Sequence, residues 1–259
     1  MTAPNLKIWY QNPVPLMDAF KGLEDLLQLT TAKMGRDGTA VSLKWLKQGF
    51  FDPTFSYTLS FNVVSQAQRI LGAPKEGFDA VVIGNALDFG LREARSVVDI
   101  PVAGVTEGAL YLASSLGKNY SFVVVHNQTG QFLADLIKQY GMTDRLASIA
   151  DMGVPLAEVA AVYQNTDRLI NLFAETARRT IQNDHAEVVV AGCTILSSLL
   201  TMKNIHDVDG VPIVDPVWAG IKMAEILVDL KRAYGIGASR STVYKACPDW
   251  DKEIPPIMA

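Results

Sequence analysis

The sequence predicts an α/β fold of two pseudo-symmetric Rossmann-like halves, with mostly parallel sheets and the active site in the cleft between them. Three observations predict it. Short apolar runs alternate with stretches of helical spacing, which is the rhythm of βαβ units. Runs such as Val81-Val82-Ile83 and Val188-Val189-Val190 are continuously apolar, as parallel strands covered on both faces must be. The chain also repeats itself. Val81-Val82-Ile83-Gly84-Asn85 leads to Ile100-Pro101-Val102 and then Glu107-Gly108-Ala109-Leu110. Val189-Val190-Ala191-Gly192-Cys193 leads to Val211-Pro212-Ile213 and then Trp218-Ala219-Gly220-Ile221. Residues 1–118 with 223–259 are expected to form the first half, and 119–222 the second.

Leu6-Lys7-Ile8-Trp9-Tyr10 reads as the first strand, broken by Gln11-Asn12-Pro13-Val14-Pro15. Leu16 to Leu29 has helical spacing, with Leu16, Phe20, Leu23, Leu26 and Leu27 near one face. Thr39 to Leu43 is a second strand. Trp45 to Phe61 is rich in aromatics and breakers and reads as a long loop near the site, either a wall or lid or ordinary packing of large side chains. Phe61 to Leu71 is a helix, Phe78 to Gly84 a buried strand and Leu91 to Val98 a short helix. Ile100 to Val105 is a strand and Glu107 to Leu116 a helix.

The second half follows the same order. Ser121 to Val125 is a strand ended by His126-Asn127-Gln128-Thr129-Gly130, and Gln131 to Tyr140 a helix. Arg145 to Ile149 is a strand, and Pro155-Leu156 opens a turn before a helix from Asn165 to Asp184. Glu187 to Ala191 is a strand, Ile195 to Lys203 a helix, Val211 to Val214 a strand and Ala219 to Tyr234 a helix. The tail from Gly235, with Ile254-Pro255-Pro256 near its end, is expected to lie over the surface or onto a partner subunit.

Composition excludes several classes. A hydrophobic share of 49% is that of a globular chain rather than a disordered one. Basic and acidic side chains number 23 and 27, a net charge of -4, so no field of one sign recommends nucleic acid as partner. No signal-peptide core opens the sequence, and no apolar run is long enough for a membrane span. Two cysteines make no disulfide scaffold and fit a reducing, cytoplasmic setting. A homo-oligomer is expected.

In a doubly wound sheet, ligands lie beyond the carboxyl ends of the strands. Asn85 and Cys193 hold the same place in the repeat, the first residue after strand and glycine, and two facing halves would set them on opposite sides of one ligand. Asn12 and His126 or Asn127 likewise follow the first strand of each half. Cys193 has no Cys or His neighbour at metal-ligand spacing, so no metal site is expected. It stands just before a helix, where free amides and the helix dipole lower a thiol pKa. Those amides, with the Thr194 hydroxyl, can hold a carboxylate or a developing enolate oxygen. The other fate of such a residue is an inert buried thiol. His126, His185 and His206 lie far apart in sequence, and a Cys–His pair formed in space stays open. Cys247 lacks comparable surroundings and is taken as structural or incidental.

These residues resemble the aspartate/glutamate/hydantoin racemase superfamily, most closely its hydantoin racemase-like branch. The resemblance rests on Asn12-Pro13, on Gly84-Asn85-Ala86-Leu87-Asp88-Phe89-Gly90-Leu91 with Ala94-Arg95, and on Ile100 to Glu107. It continues in Ala191-Gly192-Cys193-Thr194 and in Val211-Pro212-Ile213-Val214-Asp215-Pro216. It implies a small carboxylate or hydantoin-like substrate, no cofactor, and an acid/base cysteine at Cys193. It also implies a second cysteine where this chain has Asn85, an amide that cannot carry a proton near neutral pH. Asp88 or His126 could serve the vacant face. Alternatively the single cysteine matches the arylmalonate decarboxylase pattern, or acts as nucleophile as in maleate cis-trans isomerases, or the chain binds a small molecule without turning it over. Asn12, Asn85, Asn127, Thr194 and His126 are the expected substrate contacts. Asp88 and Glu107 are possible orienting groups, or helix caps, Asp88 for the helix from Leu91. Trp9, Tyr10, Trp45 and Phe55 suggest an apolar substituent.

Overall fold

The computed structural model describes residues 5–17, 21–52, 55–155, 158–159, 161 and 166–246. Phe20, Leu156, Asn165, Cys247 and the Ile254-Pro255-Pro256 segment lie outside the described residues. The first sheet contains β1 (Leu6–Pro15), β2 (Thr39–Leu46), β3 (Ala80–Ile83) and β4 (Val102–Gly104), in the order β2-β1-β3-β4 and parallel throughout. The second contains β5 (Tyr120–Val124), β6 (Leu146–Asp151), β7 (Val189–Ala191), β8 (Asp207–Val208) and β9 (Val211–Val214), in the order β6-β5-β7-β9-β8. Only β8 runs antiparallel, against β9. Second strand, first, third, fourth is thus the winding of both halves, and β8 is an added edge.

The helices are α1 (Lys21–Thr31), α2 (Ser56–Ile70), α3 (Leu91–Val97), α4 (Val105–Leu116), α5 (Asn127–Gln139), α6 (Thr166–Asn183), α7 (Thr194–Met202) and α8 (Pro216–Tyr234). Each forms for a local reason. In α6, Leu169, Phe173, Thr176, Ala177 and Thr180 recur at helical spacing and are its buried stripe. In α8, Asp215 caps the start by accepting from Val217 N at 2.8 Å and Trp218 N at 3.2 Å, and Pro216 stands where a missing N–H costs nothing. Gly235, at φ 68°, ends it in the left-handed conformation. Strands β3, β5 and β7 are buried along their whole length, which explains their unbroken apolar runs.

The halves interlock through the helix that follows the fourth strand of each. Ala109, Leu110 and Ala113 of α4 join the core formed by Phe122, Val188 and Val190 of the second half. Val217, Ile221, Ala224 and Val228 of α8 join the core formed by Leu6, Ile8, Ala80 and Val82 of the first. The two helices meet at Gly108, where an added Cβ would lie 2.9 Å from the Ala219 carbonyl oxygen. A boundary between 222 and 223 therefore falls inside one continuous helix that serves the first sheet from its first turn. Leu26 of α1 likewise packs in the second half's core with Val123, Leu199 and Leu200.

Several elements differ in extent from the sequence reading. β1 does not break at Gln11 but runs to Pro15, because a bulge between Gln11 and Pro15 absorbs the irregular pairing with β2. β2 runs to Leu46 and α2 starts at Ser56, so the expected loop from Trp45 to Phe61 shrinks to its middle. Phe50 packs edge to face on Tyr57 and Phe61 there. α5 starts at Asn127 because the His126 side chain caps it. The described tail lies on its own chain: the Arg240 guanidinium donates to the Arg95 and Val98 carbonyls at the end of α3. No helix among the described residues is long and apolar enough to cross a membrane.

Candidate active site

The site starts from two glycines. Gly84 N donates to Gln11 O, and Gly192 N donates to Val123 O, each at 2.8 Å. Both extend a ladder by one step beyond the strand. A Cβ at Gly84 would lie 2.3 Å from Tyr10 Cε1 and 2.9 Å from Gln11 O; one at Gly192 would lie 2.7 Å from Val124 Cγ1 and 3.0 Å from Val123 O. No other residue fits so close to the neighbouring strand. Asn85 and Cys193 follow these glycines, and both line one cavity of about 170 Å³.

Its walls come from both halves. Asn12, Pro13 and Val14 of β1, Leu23 and Leu27 of α1, Trp45, Phe51, Ala86, Leu87 and Phe89 form one side. Val125, His126, Thr129, Thr194 and Ile195 form the other. The lining is predominantly apolar. It includes no Lys, Arg, Asp or Glu among the described residues. No group of three or more His, Cys, Asp or Glu side chains suited to a metal ion occurs among the described residues.

Cys193 is half-buried and is the N-cap of α7, with φ -149° and ψ 125°. Burial pushes its thiol above the ordinary value, while the Leu196 and Ile195 amides pull it back without closing a side-chain cap of ordinary geometry. Burial has the larger effect, so the sulfur rests protonated, contrary to a lowering by the helix start alone. His126 has the corresponding place at α5. Its Nδ1 accepts from Thr129 N at 3.4 Å, and the Thr129 hydroxyl is 3.2 Å from Nε2.

Asn85 is partly engaged in its own loop: its Oδ1 accepts from Leu87 N at 3.2 Å and Phe89 N at 3.0 Å. Asn12 donates to Lys44 O at 3.2 Å. Asn127 is exposed in the first turn of α5 and is not part of the lining. Asp88 and Glu107 do not line this cavity either. Asp88 caps α4, not the helix from Leu91, accepting from Thr106 N at 3.1 Å and Glu107 N at 2.7 Å. Glu107 pairs with Arg95 through two hydrogen bonds. Both border a second, more polar cavity.

Of the expected aromatic wall only Trp45 lines the cavity. Trp9 is fully buried against Phe78, with Lys44 and Arg69 over its ring. Tyr10 is buried beneath Gly84, and Phe55 is exposed. Phe51, from the aromatic stretch read as a wall or lid or as ordinary packing, does line the cavity, whereas the reading from sequence did not single out Leu23, Leu27, Phe89 and Thr129. Leu23 and Leu27 carried a signal, a pair at helical spacing, but it reads equally as core.

The profile described as "Asp/Glu/Hydantoin racemase" matches residues 39–224. The hydantoin racemase of Pseudomonas sp. (strain NS671) is 31% identical over 93% of this chain and 91% of its own length. That of Paenarthrobacter aurescens is 31% identical over 76% of this chain and 78% of its own. Among solved structures, the allantoin racemase from Klebsiella pneumoniae superposes with a TM-score of 0.81, covering 94% of each chain at 22% identity. That identity shows a shared fold.

Proposed function

This chain belongs to the Asp/Glu/hydantoin racemase family and is a racemase-type enzyme, and from that premise we propose that it racemises a neutral cyclic carbon acid, a 5-substituted hydantoin, without a cofactor. The observation that carries this reading is the cavity itself: the Cys193 thiol, amides and hydroxyls beside it, and an otherwise apolar wall with no Lys, Arg, Asp or Glu among the described residues. A dicarboxylate or a zwitterionic amino acid would meet no Lys, Arg, Asp or Glu among the described lining residues and would lose its hydration. A hydantoin ring presents an acidic C–H between carbonyl and nitrogen and carries no charge to bury.

In this reading the ring lies between the two strand-end loops. Cys193 exchanges a proton with the α-carbon. The remaining Asn85 amide N–H and the Thr194 hydroxyl support the carbonyl on which negative charge develops. Asn12 and His126 complete the polar end. The apolar wall takes the ring substituent.

The test is hydrogen exchange with each enantiomer of 5-benzylhydantoin in deuterated water. Wild type is expected to interconvert both, with deuterium entering the product. Cys193→Ser is expected to lose about 10²–10⁴-fold, the usual contribution of a positioned acid or base. Carbon dioxide release from an arylmalonate with a single labelled enantiomer would replace this reading by decarboxylation, and conversion of maleate would replace it by cis-trans isomerisation. Saturable binding of the hydantoin without exchange, unchanged in Cys193→Ser, would mark a binding protein.

A further inference from the structure

Thr129 lines the cavity beside Cys193 from the first turn of α5, on the same wall as the thiol. Its hydroxyl has hydrogen-bond neighbours only on the His126 ring among the described residues, Nδ1 at 3.5 Å and Nε2 at 3.2 Å. The Thr129 backbone N–H decides what each ring nitrogen can do. It donates to Nδ1 at 3.4 Å, where the His126 side chain caps the helix. A backbone N–H never accepts, so Nδ1 presents its lone pair there. A neutral imidazole with a bare Nδ1 carries its proton on Nε2. Nε2–H therefore donates to the Thr129 oxygen, and the hydroxyl cannot donate back to it. The hydroxyl's own proton is then left without an acceptor among the described residues, at the wall of a cavity.

We propose, on the racemase reading above, that the Thr129 hydroxyl is a fixed donor to the substrate and reads the hydantoin carbonyl at C2. His126 is its positioning residue. In that reading the C4 carbonyl, where negative charge develops, is supported by Asn85 and Thr194, so the C2 carbonyl is the acceptor left on the ring. Thr129 and Cys193 stand beyond neighbouring parallel strands, β5 and β7, in register at Val123 and Ala191 and about 4.8 Å apart. A ring placed over the sulfur at the end of β7 thus meets the end of β5 with its edge, where its carbonyl oxygens lie. A hydroxyl free to turn could hand its proton to the protein. The Nε2–H of His126 keeps this one turned away from the imidazole, and a carbonyl oxygen takes the proton that the ring refuses. The C2 carbonyl gains no charge as the α-proton leaves, so this contact holds substrate and transition state alike and acts on KM rather than kcat.

The deciding experiment measures exchange in deuterated water for wild type, Thr129→Val, Thr129→Ser and Cys193→Ser, on 5-benzylhydantoin and on 5-benzyl-2-thiohydantoin, whose C2 sulfur is a weak acceptor. Thr129→Val keeps the side-chain shape and removes the hydroxyl. It is expected to raise KM for 5-benzylhydantoin about 10-fold with kcat nearly unchanged, the loss of one neutral hydrogen bond. Thr129→Ser is expected to restore wild-type KM, and the thio compound to show little difference between wild type and Thr129→Val. NMR of the imidazole nitrogens in wild type is expected to show the His126 proton on Nε2. A proton on Nδ1, a wild-type KM in Thr129→Val, a fall in kcat in place of the KM effect, no rescue by Thr129→Ser, or equal losses on the two compounds would each overturn the role of Thr129. With wild type exchanging and Cys193→Ser inactive, the racemase reading would still stand. If wild type exchanges neither compound, or Cys193→Ser is as active as wild type, the racemase reading falls and this assignment falls with it.

Discussion

The Tyr140 hydroxyl donates to Asp88 Oδ2 at 2.8 Å, which ties the end of α5 in the second half to the loop after β3 in the first. The same carboxyl caps α4 through Thr106 N and Glu107 N. Its loop is also the one that presents Asn85, and Asp88 has a backbone φ of 46° in the left-handed region. One side chain thus fixes the Asn85 loop against two helices. Despite its donors, burial pushes the Asp88 carboxyl up to about 7.

That shift has a sign. The folded value lies above the unfolded one near 3.9, so the folded state favours the protonated acid. Its contribution is full below about pH 4 and is lost as pH rises through about 7, by at most about 4 kcal/mol. Urea unfolding at pH 5 and pH 8 should show wild type losing stability over this interval. Asp88→Asn, which cannot ionise, should lose less. Equal slopes for the two proteins would refute the assignment.

The glycines make a second prediction. Gly84→Ala drives a Cβ to within 2.3 Å of the Tyr10 ring, which is fully buried and cannot retreat. Gly192→Ala meets Val124 Cγ1 at 2.7 Å. Overpacking of this kind costs about 1–3 kcal/mol and sometimes more. Gly84→Ala should be the worse of the two, and each should lower kcat by displacing the residue after it, Asn85 or Cys193. Denaturant midpoints and steady-state rates on the same preparations check both halves of the statement.

Legibility in the sequence divided along a physical line. Strands buried on both faces announce themselves as unbroken apolar runs, so β3, β5 and β7 and the repeat around Gly84 and Gly192 were readable. The termini of helices depend on capping contacts that a linear pattern does not display. Hence α5 begins at Asn127, with His126 as its cap, rather than at Gln131. The fate of a polar side chain depends on what comes near it in space. Asp88 was readable as a cap, but its helix was misassigned, because Thr106 and Glu107 reach it only after β3 and β4 pair. Trp9 looked like a cavity wall because sequence does not say which face of β1 is open.

The Arg95–Glu107 pair is bidentate, with Nη1–Oε1 at 3.1 Å and Nη2–Oε2 at 2.5 Å, and its side chains are only 13% and 15% exposed. Arg95→Met would leave Glu107 buried and unpaired, which typically costs about 3–5 kcal/mol. Removing both charges in Arg95→Met/Glu107→Leu should recover much of that loss. Because neither residue lines the cavity beside Cys193, KM for substrate should stay near wild type in the double variant. A single variant as stable as wild type would mean that the pair is solvated in solution.

The cavity wall sets the last prediction. Trp45 and Phe51 face the space that the ring substituent would occupy, beside Leu23, Leu27 and Ile195. A benzyl or isobutyl hydantoin would replace water against these side chains, whereas the ureido arm of allantoin would bring amides that find no partner among Leu, Ile, Val and Phe. Trp45→Ala and Phe51→Ala should therefore weaken kcat/KM for 5-benzylhydantoin while hardly changing it for 5-methylhydantoin. Burying a large apolar side chain contributes about 1.5–3 kcal/mol, so the benzyl effect should be about 10- to 100-fold. Wild type should also turn over the benzyl compound faster than allantoin. The reverse order would place the substituent away from this wall and assign the apolar residues to packing alone.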